Sequence, residues 1–259
     1  MRLTVFASGS SGNCLLLSGG GSHILIDAGI SMRRISAGLT QAGVSWRDIG
    51  GVLITHEHSD HIYGLKTMLR QRAVPIYAPR TVANRLRGMI PGIDDCLQTV
   101  PVGEDLFAAG FRIRAFHTPH DTDESVGYRV ERGDVFALAT DMGKVTDEVL
   151  NGLIGADTVL IEANHDPDML RFGSYPAYLK LRILSEHGHL SNPDCAELAR
   201  RLCESGTRRI VLGHISRENN RPELALQTVR AALAAYSPEL YCAPLDGFLS
   251  LPVGKELFC

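Results

Sequence analysis

At 259 residues the chain is long enough for one large domain or two small ones, and its 44% hydrophobic content allows a sizeable core. The apolar runs are too short for a transmembrane helix, and the opening MRLTVFASGS lacks the charged start and long apolar stretch of an export signal, so a cytoplasmic protein is expected. The net charge of −3 does not by itself point to nucleic acid, and six scattered cysteines (Cys14, Cys96, Cys195, Cys203, Cys242, Cys259) without a C-x-x-C pair suit reduced thiols rather than a disulfide framework.

The first half alternates short apolar runs with turns. RLTVFAS, NCLLLSG, SHILIDAG and GVLITHE are bounded by Gly, Ser or Asn and read as strands. The turn SGSSGN (Ser8–Asn13) between the first two has two readings: a nest of backbone amides that binds an anion, or a plain tight turn. A helix over GLKTMLRQR follows the fourth strand. VPIYAP reads as a strand and RTVANRLRGM as a helix. From Lys66 to Ile93 there are six bases (Lys66, Arg70, Arg72, Arg80, Arg85, Arg87) and no acid. Arginine suits phosphate because its planar fork meets two oxygens at once, but a solvated helix face reads the same way.

Further along, FRIRAFHTPHD, SVGYRVERGD and DVFALATDMG read as strands, the last two joined by an RGD turn. A helix over Thr146–Leu153 and a strand at DTVLIEANHD follow. Helices are expected over Tyr175–Glu186 and Pro193–Ser205, then the strand RRIVLGHIS, the helix PELALQTVRAALAAY and closing strands in LYCAPLDGFLSL. Strands with interspersed helices in two halves, about 1–150 and 151–259, suggest an α/β or α+β sandwich with helices outside.

The stretch ITHEHSDHIYG (Ile54–Gly64) concentrates metal-binding groups. His56 and His58 cannot share a helix face, because i and i+2 differ by about 200°. At the end of the buried strand GVLIT, both can converge on one ion, while Asp60 and His61 turn into the following helix and can serve a second. Imidazole with carboxylate suits Zn, Mn or Fe.

THEHSDH resembles the H-x-H-x-D-H signature of the metallo-β-lactamase superfamily, and further landmarks follow in order: ILIDAG, HTPHD, LATDMG and VLGHIS. More narrowly, FASGSSGNCLLL, IEANHD, HGHLSN and LGHISRENN resemble the YycJ/WalJ-like group, whose members are similar to bacterial DNA exonucleases. The resemblance implies a single-domain, four-layer αββα sandwich with two divalent metal ions at one edge. It places His56, His58 and His120 on one ion, Asp60, His61 and His214 on the other, and Asp141 and a hydroxide between them. From the residues alone His117 and His120 compete for the third position, and the family's His-Asp pair favours His120. Asp27 is expected behind a ligand histidine, fixing its tautomer.

A two-metal site serves a carbonyl or a phosphodiester. His189, 25 residues ahead of His214, resembles the histidine that contacts phosphate or acts as acid in the nuclease branches, and Glu162 resembles the acid that orients it. The implied function is a metal-dependent phosphodiesterase, a DNA nuclease of 5′-3′ exonuclease type, with Asp60, His189 and Glu162 catalytic and Ser191, Asn192 and Asn164 against substrate. A loop or cap histidine is the ordinary alternative for His189, and the more so for His165 and His187. A lactonase- or thioesterase-type hydrolase and a non-catalytic scaffold linked to two-component signalling are the competing functions.

Overall fold

A computed structural model describes residues 1–254; Cys259 lies outside them. In chain order the elements are β1 (Arg2–Ala7), β2 (Cys14–Gly19), β3 (Ser22–Ile26), α1 (Met32–Gln41), β4 (Ile49–Leu53), α2 (Ser59–Ile62), α3 (Leu65–Gln71), β5 (Ile76–Pro79), α4 (Arg80–Met89), β6 (Leu97–Val100), β7 (Asp105–Ala108) and β8 (Phe111–His117). There follow β9 (Val126–Arg132), β10 (Asp134–Ala139), α5 (Asp147–Leu153), β11 (Thr158–Glu162), α6 (Pro167–Phe172), α7 (Ala177–Ile183), α8 (Asn192–Glu204), β12 (Arg209–Gly213), α9 (Pro222–Ala232), β13 (Glu239–Cys242) and β14 (Leu249–Pro252).

Two seven-stranded sheets result, ordered β14-β1-β2-β3-β4-β5-β6 and β13-β12-β11-β10-β9-β8-β7. Side chains alternate across each strand, so both faces of both sheets can be buried. Leu3, Val5, Leu15, Leu17, Ile24 and Ile26 meet Ile113, Tyr128, Val130, Leu160 and Val211 between the sheets. On the outer face of the first sheet, Phe6, Leu16 and Leu25 pack with Ile35, Leu39, Met68 and Leu86 from α1, α3 and α4. On the outer face of the second, Val159, Ile161, Ile210 and Leu212 pack with residues of α5, α8 and α9. The layers are therefore helix, sheet, sheet, helix. The chain passes between sheets from Val100 to Asp105, ahead of the division near residue 150 that the element order suggested, and β14 returns to the first sheet.

Several elements depart from expectation. Helix α1 was not foreseen, although Ser31 caps it and Met32, Ile35 and Leu39 give it a buried stripe. The short edge strands β6 and β7 escaped notice, because four residues are too few to show a period. The helix expected over Tyr175–Glu186 is α7, shorter at both ends, and the short helix α6 ahead of it was not foreseen. Asp166 caps α6 and Pro167 opens it, whereas α7 starts only after Pro176. The cysteines among the described residues are all unpaired, and no helix there is long and apolar enough to cross a membrane.

Candidate metal centre

The site forms where parallel strands of both sheets end. β3 runs into Asp27, and β4 runs into Thr55 and His56. From the second sheet, β10 runs into Asp141, β11 ends in Glu162, and β12 runs into His214. Carboxyl ends of strands converge there because the parallel crossovers return all chain reversals to the same edge. Asp27, Asp141 and His214 adopt left-handed backbone, with φ of 59°, 57° and 51°. Each such residue costs about 1–3 kcal/mol unless its surroundings fix it, and such outliers concentrate at functional sites.

Ligand-bearing atoms cluster into groups whose members lie within 4.8 Å of one another: His56, His58 and His120; Asp60, His61 and His214; His56, His61 and Asp141; and Asp141, Glu162, His189 and His214. Asp141 thus stands with members of both triads. Its Oδ2 is 3.3 Å from His61 Nε2, and its Oδ1 is 3.7 Å from His120 Nε2. His117, the competitor of His120, is exposed and lies outside the cluster, with Nδ1 3.0 Å from Glu148.

Partners behind the cluster turn each ring. Asp27 accepts from His61 Nδ1 at 2.7 Å and from the Thr55 amide at 2.9 Å, and Thr55 Oγ1 donates to the same carboxylate. The proton is thereby kept on Nδ1 of His61, and Nε2 presents its lone pair to the cluster. The Gly188 carbonyl, 3.3 Å from His120 Nδ1, orients that ring likewise. Glu162 Oε1 lies 2.8 Å from Nδ1 of both His189 and His214. Its Oε2 accepts from the Met142 and Leu190 amides at 2.9 and 3.3 Å, so this fully buried carboxylate is completely satisfied.

The charge balance favours cations. Burial opposes ionisation of Asp141 and Asp60, but His214 and His61 outweigh it and hold both carboxyls below their usual range. Glu162 is likewise brought down, against its burial, to about 2 by His189 and His214. Burial, helped by His61, pushes the His56 imidazole well below its ordinary value, toward the neutral form that binds metal. His56 Nε2, His214 Nε2 and Asp141 Oδ2 are buried without a hydrogen-bond partner; the 3.3 Å approach of Asp141 to His61 lacks hydrogen-bond geometry. Buried polar atoms are rarely left so. Inward-facing imidazole nitrogens beside ionised carboxylates make a donor set that fits divalent metal.

Two contributors escaped the sequence reading. Thr55 couples Asp27 to the rings, with Oγ1 also 3.2 Å from His56 Nδ1. Asn13 folds the SGSSGN turn inward: its Oδ1 accepts from the Gly9 amide at 2.9 Å, and its own backbone amide donates to the Asp60 carbonyl at 2.8 Å. With the amides of Ser8, Gly9, Gly12 and Asn13 engaged within the fold, this part of the turn acts as a brace. A T-H-x-H pattern and an Asn closing a turn were the available signals. Gly29 completes the brace. A Cβ there would lie 1.6 Å from the Asp60 carbonyl oxygen, so only glycine lets this backbone press on α2.

Other expected residues are placed as follows. His189 lines a small pocket of about 170 Å³ together with Asn164, Tyr175 and Arg182. Asn164 is itself buried, and its Nδ2 donates to the His214 carbonyl at 3.0 Å. Ser191 and Asn192, expected against substrate, are engaged within the fold. Ser191 caps α8 by accepting from the Asp194 amide, and Asn192 is wholly buried in a reciprocal pair with Asn220 at 2.8 and 3.0 Å. Their polar atoms serve the fold. His165 is buried, and His187 is exposed.

Comparison with known proteins agrees with this geometry. Residues 22–215 match the model of the β-lactamase superfamily domain. The chain belongs to the metallo-β-lactamase superfamily. It is 36% identical over 235 residues to the exodeoxyribonuclease YycJ of Bacillus anthracis, covering 90% of this chain and 89% of that one. To the exodeoxyribonuclease WalJ of Streptococcus pneumoniae it is 38% identical over 237 residues, covering 90% and 88%. Among solved structures, the metallo-β-lactamase-fold protein YhfI of Bacillus subtilis shares the fold at 16% identity, with a TM-score of 0.72 and coverage of 96% and 99%. Membership with this donor set makes the chain a metal-dependent hydrolase that binds divalent metal.

Proposed function

We propose that the chain is a cytoplasmic, single-domain phosphodiesterase that degrades DNA, as an exonuclease of 5′-3′ direction. Support for nucleic acid comes from the relatives, which are exodeoxyribonucleases along nine-tenths of the chain. The observation that carries the reading is His189. Its side chain is 21% exposed, while Glu162, which accepts from its Nδ1, is fully buried. A histidine held this way offers Nε2 to the cleft and needs no metal to place it.

His56, His58 and His120 would hold one divalent ion and Asp60, His61 and His214 a second, with Asp141 between them; Zn, Mn and Fe all suit these donors. Bound there, such ions supply Lewis acidity, lowering the pKa of water and neutralising charge on phosphoryl oxygens. The residues do the rest. Asp27 and Glu162 keep protons on the Nδ1 atoms of His61 and His214, so that Nε2 faces inward. Glu162 also orients His189, so that its Nε2 would serve the departing oxygen as an acid or the phosphoryl oxygen as a hydrogen-bond donor.

End-labelled double-stranded DNA, single-stranded DNA and RNA, each incubated with Mn, Zn or Fe, test the reading. Release of nucleotides from the 5′ end of DNA is the expected result. Intact nucleic acids alongside turnover of lactones or thioesters would replace it with the small-molecule hydrolase. No turnover of any substrate by metal-loaded protein would favour a scaffold.

A further inference from the structure

Charge in this chain is segregated. Residues 28–93 hold nine bases against three acids, although the whole chain carries −3. The three acids are engaged elsewhere. Asp60 belongs to the metal centre, Glu57 accepts from Thr122 Oγ1 at 2.6 Å, and Asp48 accepts from the Ser45 amide at 3.0 Å. Neither α1 nor α3 contains an acid.

The structure also divides the basic run. Arg85 pairs with Asp123 and Arg87 with Asp94, which removes them from consideration as free cations. Arg33, Arg47, Lys66 and Arg72 are exposed and make no ion pair among the described residues. These four line two adjoining hollows along α1 and α3 that share Ser36. One, of about 680 Å³, holds Arg33 and Lys66; the other, of about 560 Å³, holds Arg47 and Arg72.

The groove is joined to the metal centre through α2. α2 carries Asp60 and His61, Tyr63 is its C-cap, is 68% exposed and lines the larger hollow, and Lys66 follows in the first turn of α3. From Lys66 to Arg72 the chain rises about 9 Å along the helix, the axial length of two to three nucleotides of a duplex strand at about 3.4 Å each.

We propose that the α1–α3 groove binds the phosphate backbone of a nucleic acid leading away from the metal centre, an inference that rests on the nuclease reading of that centre. Exposed cations without an ion pair among the described residues, lining adjoining hollows on the elements around the metal-site helix, complement a polyanion and need no base-specific contact. Arginine and lysine contacts here set affinity and salt dependence, while the chemistry stays at the strand ends.

The test uses the full chain loaded with Mn²⁺, a labelled DNA duplex, and bis(p-nitrophenyl) phosphate as a diester too small to reach the groove. The variant carrying Arg33→Gln, Lys66→Gln and Arg72→Gln should bind DNA at least ~10-fold more weakly, with the log–log salt slope reduced by about 0.9 for each phosphate the protein no longer neutralises. Its turnover of the small diester should persist. Arg200→Gln, which removes a cation already paired with Glu197 and Glu204, should leave affinity and slope unchanged. Unchanged affinity and slope in the triple variant, with DNA still cleaved, would overturn the groove and leave the nuclease standing. Turnover of the small diester by the unaltered protein without binding or cleavage of DNA would overturn the nuclease, and the groove with it. Should the triple variant lose small-diester turnover, Lys66→Gln and Arg72→Gln singly decide: each must lower the slope with that turnover intact, and failure of both overturns the proposal.

Discussion

The two sheet edges that meet at the metal centre are built differently. The first sheet supplies His56, His58, Asp60 and His61 from a single strand end and the short helix after it, six residues in all. The second supplies His120, Asp141, Glu162, His189 and His214 from separate loops and a strand end spread over 95 residues. A local cluster is set by one loop's geometry, and its spacing is visible in the chain. A dispersed cluster depends on β10, β11 and β12 being neighbours in register, which no local pattern encodes. The second edge also carries His189, the residue proposed to face substrate. The first edge supplies its candidate ligands from one local stretch, whereas the second completes both ligand sets and adds His189.

Loss of His189 sharpens that division most. His189→Ala should keep the metal and the fold while slowing nucleic-acid cleavage by roughly two to four orders of magnitude. A nitrophenyl diester, whose leaving group needs little protonation, should suffer less. Equal losses on both substrates would assign His189 to phosphate binding or oxyanion stabilisation, and no loss on either would return it to an ordinary loop residue.

Asp27 tests the first edge from behind. Asp27→Ala removes the acceptor that fixes the His61 tautomer at 2.7 Å and should weaken metal binding by about 10- to 100-fold. Titration with a chelator of known affinity measures it; unchanged affinity would mean that Thr55 alone orients the ring.

Gly29→Ala should act on the same edge through the backbone. Its Cβ would collide with the Asp60 carbonyl, so a loss of about 1–3 kcal/mol in denaturant unfolding is expected, with weakened metal binding in parallel. Stability at the level of the unaltered protein would show that α2 can shift without consequence.

His117→Ala should do least. The side chain is 52% exposed and faces Glu148 and Glu124, away from the metal cluster, so stability should change by less than about 0.5 kcal/mol and metal content not at all. Metal loss in this variant would reinstate His117 as the competitor of His120.

What the sequence disclosed follows the same contrast. The strands that frame the site were legible as apolar runs because both faces of each sheet are buried, and H-x-H-x-D-H stood out as a local pattern. Convergence of Asp141 and His214 on that loop was reached only through family resemblance, since pairing of β10, β11 and β12 is a long-range property. Thr55 and Asn13 act through hydrogen bonds to residues 28 and 47 positions away, beyond any local signal. The expectation of Ser191 and Asn192 against substrate came only from the resemblance. The structure employs one as a helix cap and the other in a buried pair.

The central claim is that one carboxylate, Asp141, joins the two edges into a single two-metal centre. Metal analysis of purified Asp141→Ala against the unaltered protein, both saturated and then freed of excess metal, tests it most directly. The account predicts two equivalents in the unaltered protein and at most one in the variant. Two equivalents retained by Asp141→Ala would contradict it.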